Sequence, residues 1–97
     1  LKPRTIAVVG ASRQPSTIGH QVVANLVGHG FTGAVYPVNP SARAVRSMRA
    51  WESIAAVPEP VDCAVICVPK ERVVDVAEEG GAAGVKGLVV ISAGFRE

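Results

Sequence analysis

The sequence predicts an α/β fold built on a doubly wound parallel sheet, on three observations. Hydrophobic residues make up 48% of the chain but aromatics only 4%, so the core has to be assembled from Val, Ala, Ile and Leu. Those are the residues of parallel strands buried on both faces and of the helices that cover them. Apolar runs of strand length alternate with segments whose apolar residues recur at helical spacing, and glycine, proline or asparagine punctuates each change.

Taken in order, residues 5–9 form a β-branched run that stops at Gly10, as a buried strand does before a tight turn. Ile18, Val22, Val23, Leu26 and Val27 then fall on one face of a helix, which Gly28, Gly30 and Gly33 close. Residues 34–38 make a second short strand, in which Pro37 suits a position where no backbone donor is needed. Residues 43–57 read as a brief extended piece near Met48, followed by a helix of one or two turns beginning at Ser53. Residues 61–68, bounded by Pro60 and Pro69, are almost wholly apolar and predict a central strand. Pro69 starts a helix over residues 70–83, with Val73, Val74 and Ala77 on its inner face and Gly80, Gly81 and Gly84 ending it. Residues 87–91 supply the last strand. This order gives a right-handed, Rossmann-like parallel sheet. At 97 residues there is room for one domain with a small core, so residues 1–97 are expected to form a single unit.

Composition narrows the partners. Ten Lys and Arg against eight Asp and Glu give a net charge of +2, with the basic residues scattered from Lys2 to Arg96 and no run that would track a nucleic acid. A nucleic-acid partner is not expected. No apolar run reaches membrane-spanning length, and residues 1–4 lack the apolar core of a signal peptide, so a cytoplasmic protein without a membrane partner is expected. Cys63 and Cys67 share one extended segment that holds them too far apart for a mutual disulfide; they read as buried apolar residues in a reducing compartment. Residue 1 is Leu, and the chain stops just after a Gly-Phe turn, so both ends are expected to be cuts from a longer chain.

In a doubly wound sheet, ligands bind beyond the carboxyl ends of the strands at the switch point. That rule selects four loops: residues 10–19, 39–43, 68–70 and 92–95. In the first, Gly10 permits the turn, Ser12 and Ser16 offer hydroxyls, and the free amides of the following helix favour an anion such as a phosphate or pyrophosphate. The competing reading is a plain helix entry capped by Ser16 or Thr17. NAD is disfavoured, because the Gly-x-Gly-x-x-Gly spacing is absent and the second strand ends in Asn39 where a ribose-binding acid belongs. NADP is a minor alternative through Arg13 or Arg43, without a Tyr and Lys pair to do chemistry. Coenzyme A (CoA), an ADP with an additional 3′-phosphate, suits the cations Arg13, Arg43, Arg46 and Lys70 better, although each alone reads as a solvated surface residue. His20, in the first turn of the first helix, reads as partly exposed, and His29 as a helix C-terminal residue. No residue is read as catalytic and none as a metal ligand.

Four motifs carry a family resemblance: Ala7-Val-Val-Gly-Ala-Ser12 with Ser16-x-x-Gly19; Gly33-x-Val-Tyr-Pro-Val-Asn-Pro40; Pro60-Val-Asp-x-Ala-Val-Ile-x-Val-Pro69; and Val90-Ile-Ser-Ala-Gly-Phe95. Together the chain resembles the N-terminal CoA-binding domain of the nucleoside-diphosphate-forming acyl-CoA synthetases, which is similar to the α subunit of succinyl-CoA synthetase. The resemblance implies that Gly10, Ser12 and Ser16 hold CoA phosphates, and that Asn39 and Pro40, with a nearby cation such as Arg43, border the adenosine; Gly19 of the first motif and the cation Arg13 are counted with the cofactor-binding residues. It also implies that Val68 and Pro69 flank the adenine or pantetheine, with the cation Lys70 beside them counted as cofactor-binding, and that Ser92, Ala93 and Gly94 line the path of the thiol arm.

By the same resemblance the ligand is CoA or acyl-CoA, while ATP or ADP and magnesium belong to other domains of a parent acid-CoA ligase, as does its phosphorylated histidine. The parent alternatives are a protein lysine acetyltransferase carrying this region as a regulator, or a stand-alone CoA-binding protein. The domain of the family continues past residue 95, so an exposed sheet edge is expected here, open to a partner copy or to other domains of the parent. The basic stretch 43–49 departs from the family pattern.

Overall fold

In the computed structural model, which describes residues 4–91, a four-stranded parallel sheet forms the centre. Its strands are β1 (Thr5–Val9), β2 (Ala34–Val38), β5 (Cys63–Ile66) and β6 (Gly87–Val90), in the order β2-β1-β5-β6. Between β2 and β5 the chain makes a two-stranded antiparallel hairpin, β3 (Ala44–Val45) with β4 (Met48–Arg49), and a single 3-10 turn, Ile54–Ala56. Helix α1 spans Ile18–Gly28 and helix α2 spans Lys70–Ala82.

The period of two along β1 explains why the two helices take opposite faces. Ala7 and Val9 join Ala64 and Ile66 in a cluster with Val76 of α2, whereas Ile6 and Val8 join Val65 and Cys67 in a cluster with Val23 of α1. The first connection leaves β1 towards β2 and the next crosses to β5 on its other side. The switch point therefore lies at the carboxyl ends of β1 and β5.

Several predicted elements change on inspection. The brief extended piece near Met48 is one arm of a hairpin whose turn residues, Arg46 and Ser47, both have positive φ (51° and 67°). The predicted helix at Ser53 shortens to the 3-10 turn, because the backbone returns to an extended conformation at Val57. The central strand is Cys63–Ile66, shorter than 61–68. Gly80 and Gly81 do not end α2. They lie within it, and Gly80 is buried where an added Cβ would sit 3.3 Å from Leu88 Cδ2, so its smallness serves helix-on-sheet packing. Pro37 meets its expectation: its carbonyl faces Trp51 N at 2.9 Å on the side away from β1, so the missing donor costs no ladder bond to β1.

On the other flank, β6 pairs with β5 and with no further strand among the described residues, and its Leu88, Val89 and Val90 are 42%, 48% and 47% exposed. No helix of the described residues is long and apolar enough to cross a membrane.

Candidate functional site

The loop after β1 is shaped by two glycines. Gly10 has φ +90°, and a Cβ there would come within 2.8 Å of the Cys67 carbonyl carbon and 3.2 Å of Val68 Cγ1. Only glycine lets the ends of β1 and β5 meet this closely. A Cβ on Gly19 would overlap the Gly10 carbonyl, so the first turn of α1 also has to be bare to sit on the loop.

Hydrogen bonds then fix the loop. Thr17 caps α1: its hydroxyl accepts from the His20 amide at 3.4 Å and donates to the Gln14 carbonyl at 2.8 Å. Ser12 Oγ accepts from the Gln14 amide at 3.0 Å, which leaves its proton free to donate outward. The Ile18 and Gly19 amides, the first two of the helix, take no acceptor among the described residues. His20 is not the partly exposed residue expected from the sequence. It is 9% exposed, and its Nδ1 lies 2.7 Å from the Ser12 carbonyl, an acceptor, so Nδ1 carries the proton and the ring holds the loop from behind.

The loop after β2 is tied to the first one. Asn39 Nδ2 donates to the Ala11 carbonyl at 2.7 Å, and its Oδ1 accepts from the Ser41 amide at 2.7 Å. Asn39 is thus a brace between two strand ends.

Three continuous grooves run along these ends. One of about 560 Å³ is lined by Gly10, Ser12, Ser16, Thr17, Ile18, Gly19 and Cys67. The next, of about 420 Å³, takes in Ser12, Arg13, Gln14, Asn39 and Ser41, and the third, of about 610 Å³, takes in Asn39, Pro40, Arg43, Arg49 and Trp51. Ser12 is shared by the first two and Asn39 by the last two, which makes one crevice.

The structure therefore brings together Gly10, Ser12, Arg13, Ser16, Gly19, Asn39, Pro40 and Arg43. It does not bring in Lys70, Pro69 or Val68 as lining groups: Lys70 is an exposed first residue of α2, Pro69 is the residue before it, and Val68 is a buried core residue behind Gly10. Arg46 is exposed in the hairpin turn. Ser92, Ala93 and Gly94 lie outside the described residues. His29 follows α1 as its exposed C-cap.

Arg49, Trp51 and Cys67 are among the lining residues that escaped the sequence reading. Trp51 is carried to the crevice by a parallel bridge to Val38, and Arg49 lies with its guanidinium 3.9 Å from the centre of the Trp51 ring. Cys67 is core and groove at once: it is 8% exposed, and burial pushes its thiol up to about 11, so it is a neutral wall and no nucleophile near neutral pH. The alternation that puts residues 63, 65 and 67 on one face could have flagged it. Among the described residues no cluster of acidic, His and Cys side chains could hold a metal ion.

Bare glycines at the switch point, two unpartnered helix amides, a donating serine and flanking arginines fit a phosphate-bearing nucleotide. Comparison with known proteins agrees. The chain is 42% identical over 95 residues to the ADP-forming acetate-CoA ligase II of Archaeoglobus fulgidus, which covers 98% of this chain and 14% of that protein. It superposes with a TM-score of 0.92 at 48% identity on the dinucleotide-forming acetyl-coenzyme A synthetase 1 of Ca. Korarchaeum cryptofilum solved with phosphate and ADP, over 97% of this chain and 20% of that one. The chain thus spans a fifth or less of these two relatives. A short conserved hypothetical protein of Pyrococcus furiosus matches at 33% identity and a TM-score of 0.84, over 94% of this chain and 77% of that one. The model of a CoA-binding domain matches residues 4–97, and the chain belongs to that family of Rossmann-like CoA-binding domains.

Proposed function

We propose that the crevice at the carboxyl ends of β1, β2 and β5 binds CoA, and that the chain serves as the CoA-binding part of a nucleoside-diphosphate-forming acid-CoA ligase. The observation that carries the site is the Gly10 to Gly19 loop, where Ser12, Ile18 and Gly19 line one groove and the Ile18 and Gly19 amides and the Ser12 hydroxyl proton have no acceptor among the described residues. A pyrophosphate there would receive charge-assisted hydrogen bonds at the positive end of a helix. Asn39 holds the adenosine side of the crevice in register with that loop, and Cys67 closes its floor.

CoA supplies the thiol that carries the acyl group, and this chain's residues bind and orient it. The reaction itself, joining a carboxylic acid to CoA at the expense of a nucleoside triphosphate, belongs to other domains of the parent. The named relatives with an activity are a ligase and a synthetase, which supports that parent over an acetyltransferase. A stand-alone CoA-binding protein is the second reading, favoured by the match to 77% of a short chain. The length of the natural gene product separates the two.

Calorimetric titration tests the binding assignment. Heat with CoA and none with NAD or NADP is the expected result, and binding of NADP without CoA would overturn it.

A further inference from the structure

Charge is distributed unevenly about the crevice. Arg13 stands on the loop after β1, and Arg43, Arg46 and Arg49 are carried by the β3–β4 hairpin and its entry; all four are exposed. None has a carboxylate within ion-pair distance among the described residues, where the one ion pair joins Lys86 to Asp62 at the amino ends of β5 and β6. Glu52 is the one acidic residue that lines the three grooves. Glu71, Asp75, Glu78 and Glu79 are exposed on α2, which packs on β5 and β6, whereas the hairpin lies beyond β2 at the other flank of the sheet.

Arg46 stands apart within the basic set, because it lines none of the three grooves. It occupies the tip of the hairpin, in the two-residue turn where it and Ser47 both have positive φ. The tip has a packed base: the neighbouring Val45 is fully buried, and the Ala50 amide donates to the Arg43 carbonyl at 2.8 Å. Three residues of chain, at most about 11 Å, separate Arg46 from the lining residue Arg49. A permanent guanidinium charge is thus held beside the crevice without being part of its wall.

We infer that Arg46 is a steering residue: it draws the polyanionic CoA towards the crevice and speeds its association, and it does not touch the bound ligand. Charges of one sign along a cleft focus the field at its mouth and raise encounter rates by about 10- to 1,000-fold as a set. A rim charge of this kind acts on the association rate and its salt dependence, whereas a group in contact with the ligand acts on dissociation. The inference rests on the CoA reading and adds a kinetic role to it.

The experiment is stopped-flow mixing of the chain with CoA, read by the emission of the sole tryptophan, Trp51, which lines the groove. Calorimetric Kd values under the same conditions give an independent measure, and each variant's melting temperature is taken alongside. At about 0.01 M salt, where the Debye length is about 30 Å, Arg46→Gln should slow association by about threefold and Arg46→Glu by about tenfold, with dissociation within about 1.5-fold of the unsubstituted chain. At about 1 M salt, where that length is about 3 Å, the three chains should associate equally fast and their Kd values should converge. Lys86→Gln, which removes a charge on a 78% exposed side chain at the amino end of the sheet, should leave association within about 1.5-fold at both salts.

If Arg46→Gln and Lys86→Gln slow association equally, net charge alone acts and the steering role of Arg46 is wrong. Faster dissociation of the folded Arg46→Gln chain, with weaker binding that persists at about 1 M salt, would show that Arg46 touches the ligand and would also overturn it. In both cases the CoA reading stands. If the unsubstituted chain does not bind CoA at either salt, both fall.

Discussion

Replacing Gly10 with Ala tests the geometry of the switch point quantitatively. The backbone there has φ +90°, so an L side chain costs about 1–2 kcal/mol in local strain. The new methyl also has to fit where the Cys67 carbonyl carbon is 2.8 Å away and Val68 Cγ1 3.2 Å, and overpacking of that kind costs about 1–3 kcal/mol more. The sum, about 2–5 kcal/mol, is a large share of the stability of a small domain. Since about 1 kcal/mol moves the midpoint of a domain this size by roughly 4–8 °C, the variant should melt at least about 8 °C lower.

Gly30→Ala is the internal control. Gly30 shares the positive φ, +83°, but has nothing within 4 Å of an added Cβ, so it should show the strain without the clash. Circular-dichroism melts of both variants isolate the contact between β1 and β5, and CoA titration of the folded Gly10→Ala chain should show weakened binding. Equal melting temperatures for the two variants would refute the close approach.

Two further predictions concern groups behind the crevice. His20→Leu should cost about 1–3 kcal/mol by leaving the Ser12 carbonyl unpaired, and should weaken CoA binding. His20→Asn, which offers a donor near Nδ1, should recover most of both in melts and titrations, and no difference between the two variants would show that the bond does not order the loop. The second is a pH effect at Cys67. Its folded thiol is pushed up to about 11 from an ordinary 9.0, so the unfolded chain loses this proton first. The stabilising neutral thiol is fully in place below about 9, and stability should fall as pH rises from about 9 to 11. Cys63 and Tyr36 are raised as well and act in the same sense, so Cys67→Ala should shallow the slope in urea titrations without abolishing it. An unchanged slope would contradict the burial of this thiol.

Much of the fold was legible because its signals are local. The β-branched run 5–9, the proline-bounded apolar run around 63–66 and the helix after Pro69 carry their periodicity in sequence, and the strand-end rule then located the loops. The hairpin was not legible. A two-residue turn with both φ positive normally announces itself with Asn-Gly, and here Arg46 and Ser47 take those positions, held by strand pairing that no local pattern encodes. Gly80 misled for the opposite reason: a glycine near a helix end reads as a stop, yet this one is selected by Leu88 packed against it from β6.

The candidate site divides in the same way. Gly10, Ser12, Gly19 and Asn39 follow strand ends and could be placed from order alone. Arg49 and Trp51 reach the crevice only because Trp51 bridges to Val38 across the sheet edge, and His20 becomes a loop brace only through a carbonyl eight residues away. Lys70 reads as one of the crevice cations because it follows a strand end, but it opens α2 on the surface, outside the groove.

CoA bound in the crevice at the carboxyl ends of the strands would perturb the backbone amides of the strand-end loops. The most direct test is an amide chemical-shift titration of the isotope-labelled chain with CoA. The largest changes should fall on Gly10, Ser12, Ile18, Gly19 and Asn39, with a smaller set at Arg49 and the Trp51 indole N–H. Changes clustered instead at the opposite end of the sheet, around Arg4, Asp62 and Lys86, or their absence at saturating CoA, would contradict it.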